Sequence, residues 1–320
     1  MKSFHNLSEY KIIVTGGAGF LGKNVVRKFG EEGVPSENIF VPRSKDYDLR
    51  RESAVERMLN DFPADILVNL AAKVGGIGYN MENPGVLFYD SIIMGVNLIE
   101  QARLHDVKKF VAVGTVCSYP KYCTVPFKED DIWNGYPEET NAPYGLAKKA
   151  LLVQLQAYRK QYGFNGIYLI PVNLYGPGDN FKPESSHVIP ALIKKFDDAV
   201  TERKDSVSIW GTGNASREFL YVDDAAEGIV KATKLYKKED PVNLGSGMEI
   251  SIRELTTLIA QETGFEGEVS WEKTKPDGQP RRCLDVSRAI EEFDFKAKTP
   301  FEEGLKKTIE WYRANKDSIY

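Results

Sequence analysis

The 320-residue sequence predicts an α/β fold: a doubly wound parallel sheet with a smaller, interleaved C-terminal domain. Short apolar, β-branched runs alternate with helical stretches from Lys11 to Tyr175. A cluster of glycines joins the first of these runs to the helix that follows it. Beyond Gly176 the alternation gives way to longer connections with recurring prolines. Strands separated by helices are best satisfied by a parallel sheet with right-handed crossovers.

The elements follow in order. Residues 11–15 (KIIVT) read as a strand buried on both faces. Glycines fill 16–22, and a helix runs to about 32. A second strand at 39–41 stops at Pro42, a helix covers 51–60, and 65–70 (DILVNL) is the next strand. A helix over about 86–105 precedes the strand 110–114 (FVAVG). A long amphipathic helix at 143–162 leads to the strand 167–171 (IYLIP). Further on, Lys194 to Asp205 is a charge-rich segment, 207–210 is strand-like, and Gly211-Thr212-Gly213-Asn214 is a turn. Asp223 or Asp224 is expected to cap a helix reaching about Leu235. Residues 1–175, completed by about 215–242, are assigned to the sheet domain, and 176–214 with 243–320 to a substrate-binding domain.

Composition narrows the function class. An apolar fraction of 42% with 28% charged residues is that of an ordinary globular protein. No apolar run approaches the roughly 20 residues that span a bilayer, and the polar start, Met1 to Tyr10, lacks a signal-peptide core. The balance of 42 basic and 46 acidic residues argues against nucleic acid as a partner. Cys117, Cys123 and Cys283 show no CxxC spacing, which suits a reduced, cytoplasmic setting. With histidine only at positions 5, 105 and 187, no metal site is expected.

The glycine cluster fits both GxxGxxG (Gly16, Gly19, Gly22) and GxGxxG (Gly17, Gly19, Gly22). Between a strand and a helix, either spacing lets the backbone turn tightly and approach a pyrophosphate at a helix N-terminus, as in Rossmann-type folds. After the second strand come Arg43, Ser44 and Lys45, with no carboxylate before Asp46. Two cations and a hydroxyl favour the 2′-phosphate of NADP(H), although Asp46 leaves a ribose contact open. Tyr144 and Lys148 are four residues apart, so they share a helix face about 40° wide. An ammonium beside a phenol favours the phenolate, lowering the tyrosine pKa from about 10 and making it usable for acid–base work. Tyr312 and Lys316 repeat the spacing in the C-terminal helix and read as solvated surface. Thr115 supplies a hydroxyl at the carboxyl edge of strand 110–114, where ligands bind in such sheets.

The glycine turn, this hydroxyl and the Tyr144/Lys148 pair resemble the extended short-chain dehydrogenase/reductase family. Further stretches resemble its nucleotide-sugar enzymes: 71–77 (AAKVGGI), Cys117 within TVCSYP, 173–181 (NLYGPGDNF), 186–192 (SHVIPAL), Trp210-Gly211 through Arg217-Glu218-Phe219, and Lys275-Pro276-Asp277-Gly278. The likeness covers essentially the whole chain, and the Cys117 and His187 segments point to epimerase–reductases of GDP-4-keto-6-deoxyhexoses. The resemblance implies inversion at C3 and C5 by Cys117 and His187, with cysteine the base. It implies reduction at C4 with Tyr144 as proton donor, Thr115 hydrogen-bonding the same oxygen, and Lys148 on the nicotinamide ribose. It places Phe20, Leu21, Asp48, Leu49, Ala71, Ala72, Gly114, Pro171, Asn173, Leu174 and His187 beside the NADP(H). Lys195, Trp210, Arg217, Asp277 and Arg282 are placed around the GDP-sugar, and a homodimer is implied through the helices near 86–105 and 143–162.

Some positions depart from the family pattern. Thr115 stands where serine is usual, and Val116 and Ala142 replace residues that are commonly polar. Spacing alone does not separate guanine from uracil or thymine. A nucleotide-sugar 4-epimerase or 4,6-dehydratase with bound NAD stays open, as does a non-catalytic dinucleotide sensor. Val116 and Cys117 stand where a dehydratase would carry an acidic pair, and Tyr144 with Lys148 speaks against a sensor.

Overall fold

The computed structural model describes residues 4, 6–275 and 277–319; His5 and Pro276 lie outside them. In chain order the elements begin β1 (Ile12–Thr15), α1 (Phe20–Glu31), β2 (Ile39–Phe40), α2 (Glu52–Asp61), β3 (Ile66–Asn69), α3 (Ile77–Glu82), α4 (Pro84–Leu104) and β4 (Lys109–Val113). They continue with α5 (Ala142–Tyr162), β5 (Gly166–Pro171), β6 (Asn173–Tyr175), α6 (Val188–Thr201), β7 (Ser206–Trp210), β8 (Ser216–Tyr221), α7 (Val222–Leu235) and β9 (Val242–Leu244). The chain closes with β10 (Glu249–Ser251), α8 (Ile252–Thr263), β11 (Glu268–Glu272), α9 (Ser287–Phe293) and α10 (Phe301–Ile319).

Six strands form a parallel sheet in the order β2-β1-β3-β4-β5-β9. Strands β1, β3, β4 and β5 are buried along their whole length, as continuous β-branched runs covered on both faces must be. The order reverses at β1, between β2 and β3, and ligands of open α/β sheets bind at the carboxyl ends of strands beside such a point. Strands β10, β8 and β6 form a second, mixed sheet, and β11 pairs with β7. Apolar residues gather into two cores. One surrounds the large sheet; the other includes Phe181, Phe196, Leu255 and Ile309.

Several local expectations are corrected. Asp223 and Asp224 do not cap α7; the helix begins at Val222, and both carboxylates lie inside its first turn. There they face the helix's positive end, and each has a tertiary task. Asp223 meets Lys28 at 2.9 Å, and Asp224 accepts from the Thr299 N–H at 2.9 Å. The charge-rich segment 194–205 is largely the end of α6, whose other face buries Ile193 and Phe196. Tyr312 is not solvated: its ring is buried and stacks on Phe181 with centroids 4.5 Å apart, while Lys316 reaches Asp197 at 3.2 Å. Spacing on a helix states which residues share a face, not which face the neighbouring layer covers.

Candidate active site

A cleft of about 1710 Å³ opens along the carboxyl edge of the large sheet and continues past β7, β8 and the segment 277–282. At one end lies the glycine turn. Gly16 adopts φ +71°, and a Cβ there would stand 2.9 Å from the Ala71 nitrogen. A Cβ at Gly22 would fall 2.1 Å from the Gly16 carbonyl, and one at Gly19 would fall 3.2 Å from it. These glycines leave a cradle that side chains would fill, and α1 starts from it with no side-chain cap and no acid in its first turn. Free N–H groups and the positive end of the helix dipole fit a pyrophosphate.

Gly17 has a different duty. It does not line the cleft; its Cβ would strike the Val14 carbonyl at 2.8 Å and the Val41 side chain. Of the two spacings, Gly16, Gly19 and Gly22 are therefore the glycines on the wall. Beyond β2, Arg43, Ser44 and Lys45 are exposed on that wall. Asp48 is held by Arg50 at 2.8 Å, and this guanidinium keeps its carboxyl below the ordinary range. The nearby carboxylate is thus occupied, and a 2′-phosphate would meet cations.

The chemistry-bearing side chains lie at the middle of the cleft. Thr115 follows β4 and caps a single 3-10 turn over Val116–Ser118, its hydroxyl oxygen accepting from the Cys117 N–H at 3.2 Å. The half-buried Cys117 Sγ lies 3.7 Å from Asn141 Oδ1 and 3.8 Å from Arg282 Nη1. Tyr144 and Lys148 come from the first turns of α5 and both line the cleft. Gly145 brings that helix close, since a Cβ there would meet the Cys117 carbonyl at 2.3 Å. The Ser118 hydroxyl donates to the Gly145 carbonyl at 2.9 Å and closes the same contact.

Burial reverses one sequence expectation. Tyr144 is pushed above the ordinary phenol range by desolvation, then by neighbouring Cys117 and Tyr168, rather than lowered by Lys148. Lys148 is itself brought down to about 8 by burial, so it is a weaker source of positive charge than an exposed lysine. Tyr144 accordingly keeps its proton near neutral pH. His187 occupies the N-cap position of α6 without capping it, and its ring faces the cleft. Desolvation by the cleft walls, then the Arg282 charge, hold its imidazole below the usual value.

The far end carries the residues expected at a nucleotide sugar. Lys195 donates to the Ser208 carbonyl at 2.7 Å, and Trp210 is 51% exposed with the Lys275 ammonium 4.8 Å from its ring centroid. Arg217 is buried and donates to the carbonyls of Gln279 at 2.6 Å and Asp277 at 2.9 Å. The Asp277 carboxylate accepts from the Thr212 N–H and hydroxyl, each at 2.8 Å, and so pins the 211–214 turn. Arg282 lines the cleft as a buried side chain that contacts Gln279, Asn173 and Cys117. Sequence reasoning did not single out Asn141, Gly145 or Gln279. Asn141, a polar residue just before the tyrosine helix, offered a signal; Gln279 offered none.

Every site residue named from the sequence except Gly17 and Asp46 lines this cleft. Ala71, Ala72, Gly114, Pro171 and Leu174 stand along the strand ends, with Phe20, Leu21 and Leu49 toward the glycine turn. Among the described residues no acidic, cysteine and histidine cluster could hold a metal, and no helix is long and apolar enough to cross a membrane.

Residues 12–245 match the family model described as the NAD dependent epimerase/dehydratase family. The chain is 39% identical to GDP-L-fucose synthase 1 of Arabidopsis thaliana over 305 residues, covering 95% of this chain and 94% of that protein. It is 35% identical to the GDP-L-fucose synthase of Escherichia coli (strain K12) over 321 residues, covering 97% and 99%. Among solved structures, a GDP-L-fucose synthetase from Naegleria fowleri bound to NADP superposes with a TM-score of 0.86 at 27% identity, covering 96% and 95%.

Proposed function

This chain belongs to the NAD dependent epimerase/dehydratase family, and on that premise we propose that it performs the GDP-L-fucose synthase reaction. In that reaction GDP-4-keto-6-deoxy-D-mannose is epimerised at C3 and C5 and reduced at C4 in an NADPH-dependent step. The observation that carries this reading is one continuous cleft lined by the glycine turn, Tyr144 with Lys148, and Cys117 with His187.

Gly16, Gly19 and Gly22 with the start of α1 hold the pyrophosphate of NADP(H), and Arg43, Ser44 and Lys45 hold its 2′-phosphate. When bound, the dinucleotide supplies the hydride for C4. The 4-keto group acidifies the hydrogens on both flanking carbons. Cys117 removes a proton from one face, and His187 returns one on the other. Tyr144, protonated at rest, donates to the C4 oxygen while the Thr115 hydroxyl hydrogen-bonds the same atom. Lys148 holds the nicotinamide ribose and places its charge beside the phenolate left after donation. Lys195, Trp210, Arg217 and Asp277 hold the GDP portion.

A homodimer through α4 and α5 fits this reading. Val86, Phe88, Tyr89 and Val96 on α4 and Val153 on α5 are exposed apolar side chains on a packed helix pair. Three free cysteines suit a cytoplasmic setting. The test follows GDP-4-keto-6-deoxy-D-mannose in D₂O by NADPH absorbance and sugar NMR together. NADPH oxidation, deuterium at C3 and C5 and a 6-deoxy-L-galactose product are expected, and Cys117→Ser loses exchange more than cofactor binding. Reduction without exchange would leave a simple 4-reductase. No NADPH oxidation, with NAD co-purifying, would point to an epimerase of another nucleotide sugar.

A further inference from the structure

Arg282 is a buried cation whose side-chain partners are two amides and a cysteine sulfur. Its Nε and Nη2 donate to Gln279 Oε1 at 3.2 and 3.1 Å. Gln279 is itself buried, and its Nε2 donates to the carbonyls of Pro120 at 3.0 Å and Lys121 at 3.2 Å. Those two carbonyls fix the amide, because only its nitrogen can donate to them. Oε1 must then face Arg282, and the guanidinium is held by two bonds that converge on this one oxygen. The remaining Nη1 reaches Asn173 Oδ1 at 3.3 Å and Cys117 Sγ at 3.8 Å. Among the described residues no carboxylate forms an ion pair with Arg282.

A desolvated charge left without a counter-charge is costly, so this arrangement calls for an anion at Nη1. Two are available in the cleft: a thiolate at Cys117 or the diphosphate of the ligand. Geometry favours the sulfur. The guanidinium is turned into the wall that carries the 3-10 turn, and the frame holding it, Pro120 and Lys121, follows Cys117 in the same loop.

We propose that Arg282 is a positioning residue for Cys117, locked by Gln279 so that its Nη1 faces the sulfur whenever that sulfur carries negative charge. The proposal rests on Cys117 being the epimerisation base. In that step a substrate C–H bond breaks, its proton forms the S–H bond, and the electron pair passes to the C4 oxygen as an enolate. Asn141 Oδ1, 3.7 Å from the sulfur, accepts from the resulting thiol. Asn141 is oriented by its Nδ2 donating to the buried Glu138 carboxylate at 2.5 Å. The sulfur therefore has a donor for its charged form and an acceptor for its neutral form, so neither state requires the loop to move.

The test uses the full-length protein with NADPH bound. Alkylation of Cys117 by iodoacetamide at neutral pH is followed by peptide mass, with Cys123 and Cys283 read as internal references. In Arg282→Gln the Cys117 rate falls by about tenfold, the effect of an opposite charge removed from a partly buried group, and Arg282→Lys recovers most of it. Exchange at C3 and C5 falls in parallel, with KM and the affinity for GDP unchanged within about threefold. An unchanged alkylation rate in Arg282→Gln overturns the proposal. Loss of GDP affinity with alkylation intact also overturns it and returns Arg282 to the diphosphate. Cys117→Ser separates the two layers: if it retains exchange, the epimerisation reading fails, whereas the alkylation rates still decide the Arg282–Cys117 pairing.

Discussion

At the Tyr144 hydroxyl, two effects oppose one another. A lysine one turn along α5 draws the phenol toward ionisation, and burial resists it. Burial prevails, because Lys148 is desolvated too and its own affinity for a proton has dropped to about 8. A phenol that keeps its proton is suited to donate to a developing alkoxide and poorly suited to take a proton from carbon, which agrees with the proposal that Cys117 is the base. Tyr144→Phe should lower C4 reduction by about 10²-fold or more while deuterium still enters C3 and C5. Single-turnover NADPH oxidation beside NMR of the recovered sugar separates the two, and equal loss of both would contradict the division of labour. The Tyr-Lys spacing was visible in sequence; the direction of the shift was not, because desolvation depends on the layers packed over the helix.

Strand β4 shows what an element can conceal. Lys109 begins it, yet its side chain is buried and donates to the Ala232 carbonyl at 3.1 Å and the Tyr236 carbonyl at 2.6 Å. These carbonyls belong to the last turn of α7 and the residue that caps it; the Ala232 carbonyl also accepts from the Tyr236 N–H at 3.0 Å. Lys109 thus ties that helix end to the sheet, and its burial brings its pKa down to about 7. Below about pH 7 the lysine is protonated in both folded and unfolded chains, and the cost of burying the charge is felt in full. From about 7 up to the ordinary value of 10.5 only the unfolded chain keeps the proton, so stability rises with pH. Between pH 6.5 and 8.5 the parent should gain up to about 2 kcal/mol relative to Lys109→Met. Urea unfolding of both proteins at the two pH values measures it, and a pH-independent difference would rule out the titration. Gly145 is the counterpart at the site: lacking a Cβ, it lets α5 rest on the Cys117 carbonyl and brings Tyr144 to the same place as the thiol.

Over the whole molecule, the cleft runs from the glycine turn to Trp210 and is walled by residues far apart in the chain. Cofactor binding at one end should therefore stabilise the folded protein as a whole. Free NADPH at a hundredfold excess over its Kd should raise the unfolding free energy by about 2.7 kcal/mol. Arg43→Ala should weaken NADPH binding by about tenfold or more and leave NADH nearly unaffected, since a charge-assisted contact to phosphate is worth about 1.5–3 kcal/mol. Titration by intrinsic fluorescence gives both affinities; equal losses for the two cofactors would move the 2′-phosphate away from Arg43.

The sequence by itself determined the parallel sheet, the nucleotide end of the cleft and the preference for NADP(H), because each is written in local signals. β-Branched runs such as 12–15 and 66–69 become buried strands, glycines mark the close approach of backbone, and Arg43 with Lys45 directly follows the second strand. The strands β6, β8, β9, β10 and β11 were less legible. Their pairings join segments far apart in the chain, so no local period announces them. Only the tertiary structure decided the direction of the Tyr144 shift, the burial of Tyr312 and Lys109, and the approach of Arg282 Nη1 to within 3.8 Å of the Cys117 sulfur. Each depends on what a second segment places opposite the first, and desolvation and charge pairing are properties of that opposition rather than of the residue.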